Sequence, residues 1–99
     1  MNLNNFEQYV EPIILERGNT YYRQDLVEQI IELGADEYSI EVLGSESYEV
    51  YIALSPNKDI IQSKCNCPYD YSNICKHQVV AFYALKNLCK GSNLFCKKF

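Results

Sequence analysis

Three of the five cysteines and the only histidine of this 99-residue chain fall within one stretch, KCNCPYDYSNICKH, residues 64–77. Their order is Cys65-x-Cys67, seven residues, then Cys75-x-His77. Such residues could serve a metal site, a thiol nucleophile beside its base or a disulfide cluster, or could be clustered by accident. The N-terminus, MNLNNFEQYVEP, has neither a basic leader nor an apolar segment, so no secretory signal is read there and the thiols are expected to be reduced. An odd cysteine count also leaves one unpaired under any disulfide scheme. A nucleophilic pair of Cys75 and His77 leaves the other two clustered cysteines unexplained and has no obvious third group to orient the base. CxC followed closely by CxH is a more specific signal, and it points to zinc.

Zinc takes four ligands at tetrahedral angles, which places two bound sulfurs roughly 3.8 Å apart. A flat strand holds residues i and i+2 about 6.5 Å apart, so Cys65 and Cys67 can share an ion only if the backbone folds at Asn66. Pro68 biases Cys67 towards an extended conformation and lets the chain leave the knuckle. Turn formers at Asp70, Ser72 and Asn73 suit a reversal that brings the second pair back. With Asn73 as helix cap, Cys75 is expected in the first helical turn, where free N–H groups stabilise a thiolate. Cys65, Cys67, Cys75 and His77 then fill the tetrahedron and leave no position for an activated water, so the expected role is one structural Zn²⁺ and no catalytic residue. Three thiolates around the ion leave a charge of about -1, which Lys64 and Lys76 are placed to offset. Cys89 and Cys96 are read as thiols outside this set.

The elements that must position these ligands follow from apolar periodicity. Residues 4–16 have helical spacing through Phe6, Val10, Ile13 and Ile14, with Asn4 or Asn5 as cap, Pro12 as an internal defect and Gly18 as the stop. A further helical turn is expected in NTYYRQD. Residues 26–33 fit a helix through Leu26, Ile30 and Leu33, or a strand in which Val27, Gln29, Ile31 and Leu33 share one face. Residues 37–43 alternate clearly, Gly44-Ser45-Glu46 reads as a turn, and Tyr48, Val50, Ile52 and Leu54 repeat the alternation. Pro56-Asn57-Lys58-Asp59 makes the next turn, and residues 60–64 a short strand running into Cys65. Ile74, Ala81, Ala84, Leu85 and Leu88 form a helical stripe that Gly91 closes. The expected fold is α+β: an N-terminal helix, a three- to four-stranded antiparallel meander, the zinc knuckle and a C-terminal helix, all in one domain over residues 1–99 with the finger proper at 64–90.

Composition narrows the partner. With 47% apolar and 22% charged residues the chain is globular, and no apolar run is long enough to span a bilayer, so no membrane is expected; with no nucleotide-binding signature and no catalytic set, no small-molecule substrate is expected either. The nine tyrosines are read as amphipathic packing residues rather than as base-stacking platforms. The net charge of -4 disfavours bulk coating of nucleic acid, but it hides an asymmetry: residues 1–63 hold three basic side chains against twelve acidic, whereas six lysines and only Asp70 follow. Lys64, Lys76, Lys86, Lys90, Lys97 and Lys98 are the candidate phosphate contacts. The acidic front part and tyrosine-bearing hairpin suit a protein partner instead.

The pattern CxCx7CxH resembles that of the SWIM zinc finger, and the likeness extends to RGNTYY after the first helix and to VLGSESYEV in the hairpin, covering about residues 6–88. The resemblance implies a strand for residues 27–33. It also implies a non-enzymatic, intracellular module that binds DNA or proteins, either free-standing or as the front piece of a helicase-like ATPase. One departure is RQDLV, where the family often has a glycine before the valine, which implies a different turn there.

Overall fold

In the computed structural model, residues 1–67 and 74–89 are described. A 3-10 turn, Phe6–Gln8, precedes helix α1, Pro12–Arg23. Strands β1, Val27–Gly34, β2, Glu37–Leu43, β3, Ser47–Leu54, and β4, Ile60–Cys65, follow, and helix α2, Lys76–Cys89, closes the series. Among the described residues the strands form an antiparallel meander in the order β1-β2-β3-β4. The α+β architecture and the elements flanking the knuckle are those expected from the sequence.

Helix α2 lies against all four strands, and α1 packs on α2. Tyr38, Ile40 and Val42 of β2 and Val50, Ile52 and Leu54 of β3 point into the core, as their alternation predicts. Residues 77–82 of α2 are all buried, because the helix is sandwiched between the sheet and α1. The predicted stripe captures Ala81, Ala84 and Leu85 but not Val79, Val80 and Phe82. Phe6 joins this core, with its ring centroid 5.2 Å from that of Phe82 and 5.0 Å from that of Tyr83.

The helical reading of the front part needs correction at three positions. Pro12 is not a defect inside a helix. It opens one, at a position where its missing N–H has no partner to lose. The Asn5 side chain does not cap the 3-10 turn; it accepts from the Asn2 N–H at 2.8 Å. Gly18 is not a stop, since α1 runs through it to Arg23. A Cβ at Gly18 would fall inside the Val79 side chain and 3.1 Å from the Lys76 carbonyl oxygen, so the glycine is what lets α1 and α2 approach.

The helix ends at a different residue. The Asp25 N–H donates to the Tyr22 carbonyl at 3.1 Å and the Leu26 N–H to the Tyr21 carbonyl at 3.3 Å. This is the paired bonding of a Schellman terminus, with Asp25 at φ 60 in the left-handed position that usually belongs to glycine. The turn at RQDLV is therefore made without a glycine.

Residues 27–33 are a strand, but not with the expected face. Val27 pairs with Val42 and Gln29 with Glu41, so Glu28 is an extra residue and the alternation slips. Ile30 therefore faces the core opposite Ile40, while Ile31 and Leu33 are 45% and 55% exposed.

Candidate metal centre

Cys65 ends β4 opposite Val50 on the core side of the sheet. The bend at the next residue has a visible cause. The Asn66 N–H donates to the Glu49 carbonyl at 3.3 Å, and the Asn66 Oδ1 accepts from the Glu49 N–H at 3.0 Å. The side chain thus takes the ladder position that a continuing strand would have filled, and Cys67 turns back towards Cys65. At the other end Cys75 immediately precedes α2 instead of lying in its first turn, and its carbonyl accepts the Val79 N–H at 3.2 Å. Asn73, the expected cap, lies outside the described residues.

The four donor atoms of Cys65, Cys67, Cys75 and His77 lie within 4.8 Å of one another. The His77 Nδ1 is 3.8 Å from the Cys65 sulfur and 3.9 Å from the Cys75 sulfur. Tetrahedral zinc asks for roughly 3.8 Å between sulfurs and roughly 3.5 Å between sulfur and nitrogen, so the donor set and its spacing fit one structural zinc ion. Cys75 and His77 are buried, while Cys65 and Cys67 are half-buried. The thiol affinities for protons separate. Hydrogen bonding to Cys75 and then burial push the Cys65 thiol up. Donation from Cys65 pulls the Cys75 thiol down, opposed by burial and aided by His77 and the Gln78 N–H. These directions favour the thiolate at Cys75, beside the head of α2, where a cation is well received.

The chain's similarity to known proteins agrees with this geometry. The SWIM zinc finger family matches residues 48–86, which hold all four donors. Residues 48–86 are thus similar to a SWIM zinc finger. Such fingers are zinc-binding interaction modules. An uncharacterized protein of Methanocaldococcus jannaschii is 36% identical to the chain over 77 residues, which is 78% of this chain and 31% of that protein. The chain thus spans about a third of the curated relative it matches. No solved structure matches it.

The lysines do not gather as the donors do. The Lys86 Nζ is paired with the Glu7 carboxylate at 3.1 Å. The Lys76 Nζ stands 4.9 Å from the centre of the Tyr21 ring. Lys64 is exposed on the sheet face away from the helices, in register with Tyr51, beside a shallow hollow of about 280 Å³ that Glu49, Tyr51, Cys65 and Asn66 complete. Lys90, Lys97, Lys98 and Cys96, and the side chain of Cys89, lie outside the described residues, as does the expected stop at Gly91.

The side chains of several residues around the finger have roles that the sequence did not show, including that of Asn66, expected only as the point where the backbone folds. Asn66 brackets the knuckle to β3, and the Ser63 hydroxyl donates to the Gln78 side-chain oxygen at 2.6 Å, tying β4 to α2. Tyr48 and Tyr21 pack on His77. Their signal was available in part, since Tyr48 lies in VLGSESYEV and Tyr21 in RGNTYY, the two stretches that carry the resemblance beyond the ligands.

Proposed function

We propose that the chain is a non-enzymatic interaction module, one folded unit in which Cys65, Cys67, Cys75 and His77 hold a single structural zinc ion. The observation that carries this reading is the convergence of four protein donors from the end of β4 and the head of α2. A filled tetrahedron leaves the metal nothing to do but join the two elements. Among the described residues no helix is long and apolar enough to cross a membrane. An intracellular, reducing setting fits three thiols kept free for metal.

The partner this surface suits best is a protein. The face of the sheet away from the helices carries Glu37, Glu41 and Glu49 together with the exposed Ile31 and Leu43. Tyr51, Ser47 and Ser39 donate hydrogen bonds to the three carboxylates at 2.8 to 2.9 Å and hold them in place. Nucleic acid is the second reading, supported by Lys64 and Lys76 beside the metal donors and by the resemblance to fingers that precede helicase-like ATPases. In a longer protein of that kind the module would serve as the recognition domain.

Metal analysis of the purified chain is expected to find one zinc, lost with the fold on Cys75→Ser. Titration with duplex DNA at two salt concentrations separates the partners. Binding that weakens steeply with salt and with charge reversal at Lys64 and Lys76 supports nucleic acid, whereas absent or salt-insensitive binding leaves the protein reading. A folded chain without metal would refute the structural zinc.

A further inference from the structure

His77 is held more closely than a ligand of a flexible loop would be. The Tyr48 ring lies flat against the imidazole, with centroids 4.2 Å apart and planes 28° apart. Tyr21 meets it edge-on, with centroids 5.8 Å apart and planes at 69°. The Tyr48 hydroxyl is 3.1 Å from the Ser45 hydroxyl, so the hairpin turn holds the outer end of the stacking ring. Gly44, in the same turn, lies where an added Cβ would be 3.1 Å from the Tyr48 ring and 3.4 Å from the His77 Nε2. The hairpin therefore closes around the edge of the imidazole that points away from the sulfurs.

The two ring nitrogens have different surroundings. Nδ1 faces Cys65 and Cys75, whereas Nε2 is buried against the hairpin and has no hydrogen-bond partner among the described residues. Metal-binding histidines are usually oriented by a hydrogen bond from the second nitrogen. Here the ring contacts supply that orientation. Stacking on an electron-rich phenol also favours an imidazole that has given electron density to a cation.

We propose that Tyr48, seated by Ser45 and Gly44, is a positioning residue that fixes His77 to bind zinc through Nδ1, with Nε2 carrying the proton. The inference rests on the four-donor zinc reading above. It concerns the ring that sets the histidine, not the ligand set.

Two measurements on the full zinc-loaded chain test it. Long-range proton–nitrogen correlation spectra of His77 should show Nδ1 metal-bound and Nε2 protonated, and the reverse assignment overturns the proposal. Zinc affinity by competition with a chromophoric chelator should fall by no more than about threefold in Tyr48→Phe, which keeps the ring and loses only its contact with Ser45, and should fall about 10-fold or more in Tyr48→Leu. Cobalt loaded into Tyr48→Leu should show shifted ligand-field bands. Ile40→Val weakens the core away from the site and should leave those bands unmoved, separating positioning from general loss of stability. Tyr48→Leu with native affinity and native cobalt bands overturns the proposal. So does a Tyr48→Phe variant that loses as much affinity as Tyr48→Leu. Should Tyr48→Leu fail to fold, the nitrogen assignment and Tyr48→Phe still decide. A native chain that binds no zinc would instead sink the underlying site reading.

Discussion

Replacing Gly18 by alanine sets two effects of opposite sign against each other. In the interior of a helix the change is favourable by roughly 1 kcal/mol, since glycine is the more flexible residue in the unfolded chain. Here the new methyl would lie inside the Val79 side chain and 3.1 Å from the Lys76 carbonyl. Over-packing of a core costs about 1–3 kcal/mol. The upper part of that range applies, because the obstruction includes the Val79 Cβ and the backbone of α2, neither of which a rotamer change can move. The net expectation is a loss of about 2 kcal/mol, or a fall in Tm of about 8–16 °C for a domain of this size. Urea denaturation at buffered free zinc measures it, with zinc held constant because bound metal shifts the apparent stability. Gly34→Ala is the control: nothing lies within 4 Å of its added Cβ, and it should stay within about 0.5 kcal/mol of the parent. A Gly18→Ala chain as stable as the parent would refute the close helix contact.

Asp25→Gly should stabilise the chain by about 0.5–1 kcal/mol in the same assay, because glycine adopts the left-handed terminus of α1 without steric penalty. Asn66→Ala removes the acceptor for the Glu49 N–H and should cost about 1 kcal/mol together with zinc affinity, whereas Asn66→Asp keeps an acceptor and should stay closer to the parent in chelator competition. Tyr83 is pushed up to about 12, by burial first and then by its hydrogen bond to Glu7, so the folded chain holds that proton more tightly than the unfolded one. Its contribution to stability is therefore complete below pH 10 and lost as pH rises towards 12; absorbance titration of the tyrosinates should show Glu7→Gln lowering this late step.

What could be read in advance depended on how local the cause was. The ligands were legible because zinc coordination is set by residue type and short spacing, and β2 and β3 because one buried face imposes strict alternation. Gly18 was misread because a glycine after a helical stretch is ordinarily a stop, and its actual constraint, Val79, is distant in the chain. Pro12 was misplaced for a related reason: the same residue breaks a helix from within and starts one from its first turn, and its type alone does not choose between them. In β1 the count of two failed at Glu28, an insertion visible only against the register of β2. The ring stack on His77 could not be foreseen from alternation, which assigns Tyr48 a face but not a neighbour.

The irregularities of the sheet are unevenly distributed. The central pairing of β2 with β3 has no register shift, whereas Glu28 and Leu33 are extra residues in β1 and Ile61 is one in β4. Among the described residues all three therefore fall on the outermost strands of the sheet, where unpaired backbone groups invite a strand from another molecule. Leu33 and Ile61 are also among the most exposed apolar side chains, at 55% and 67%. The bulges at Leu33 and Ile61 interrupt the ladder where the rim is apolar, which disfavours pairing along it by a strand of another molecule. Regular pairing is thus kept at the centre of the sheet and given up at its borders, where an unbroken ladder would be a template for further strands.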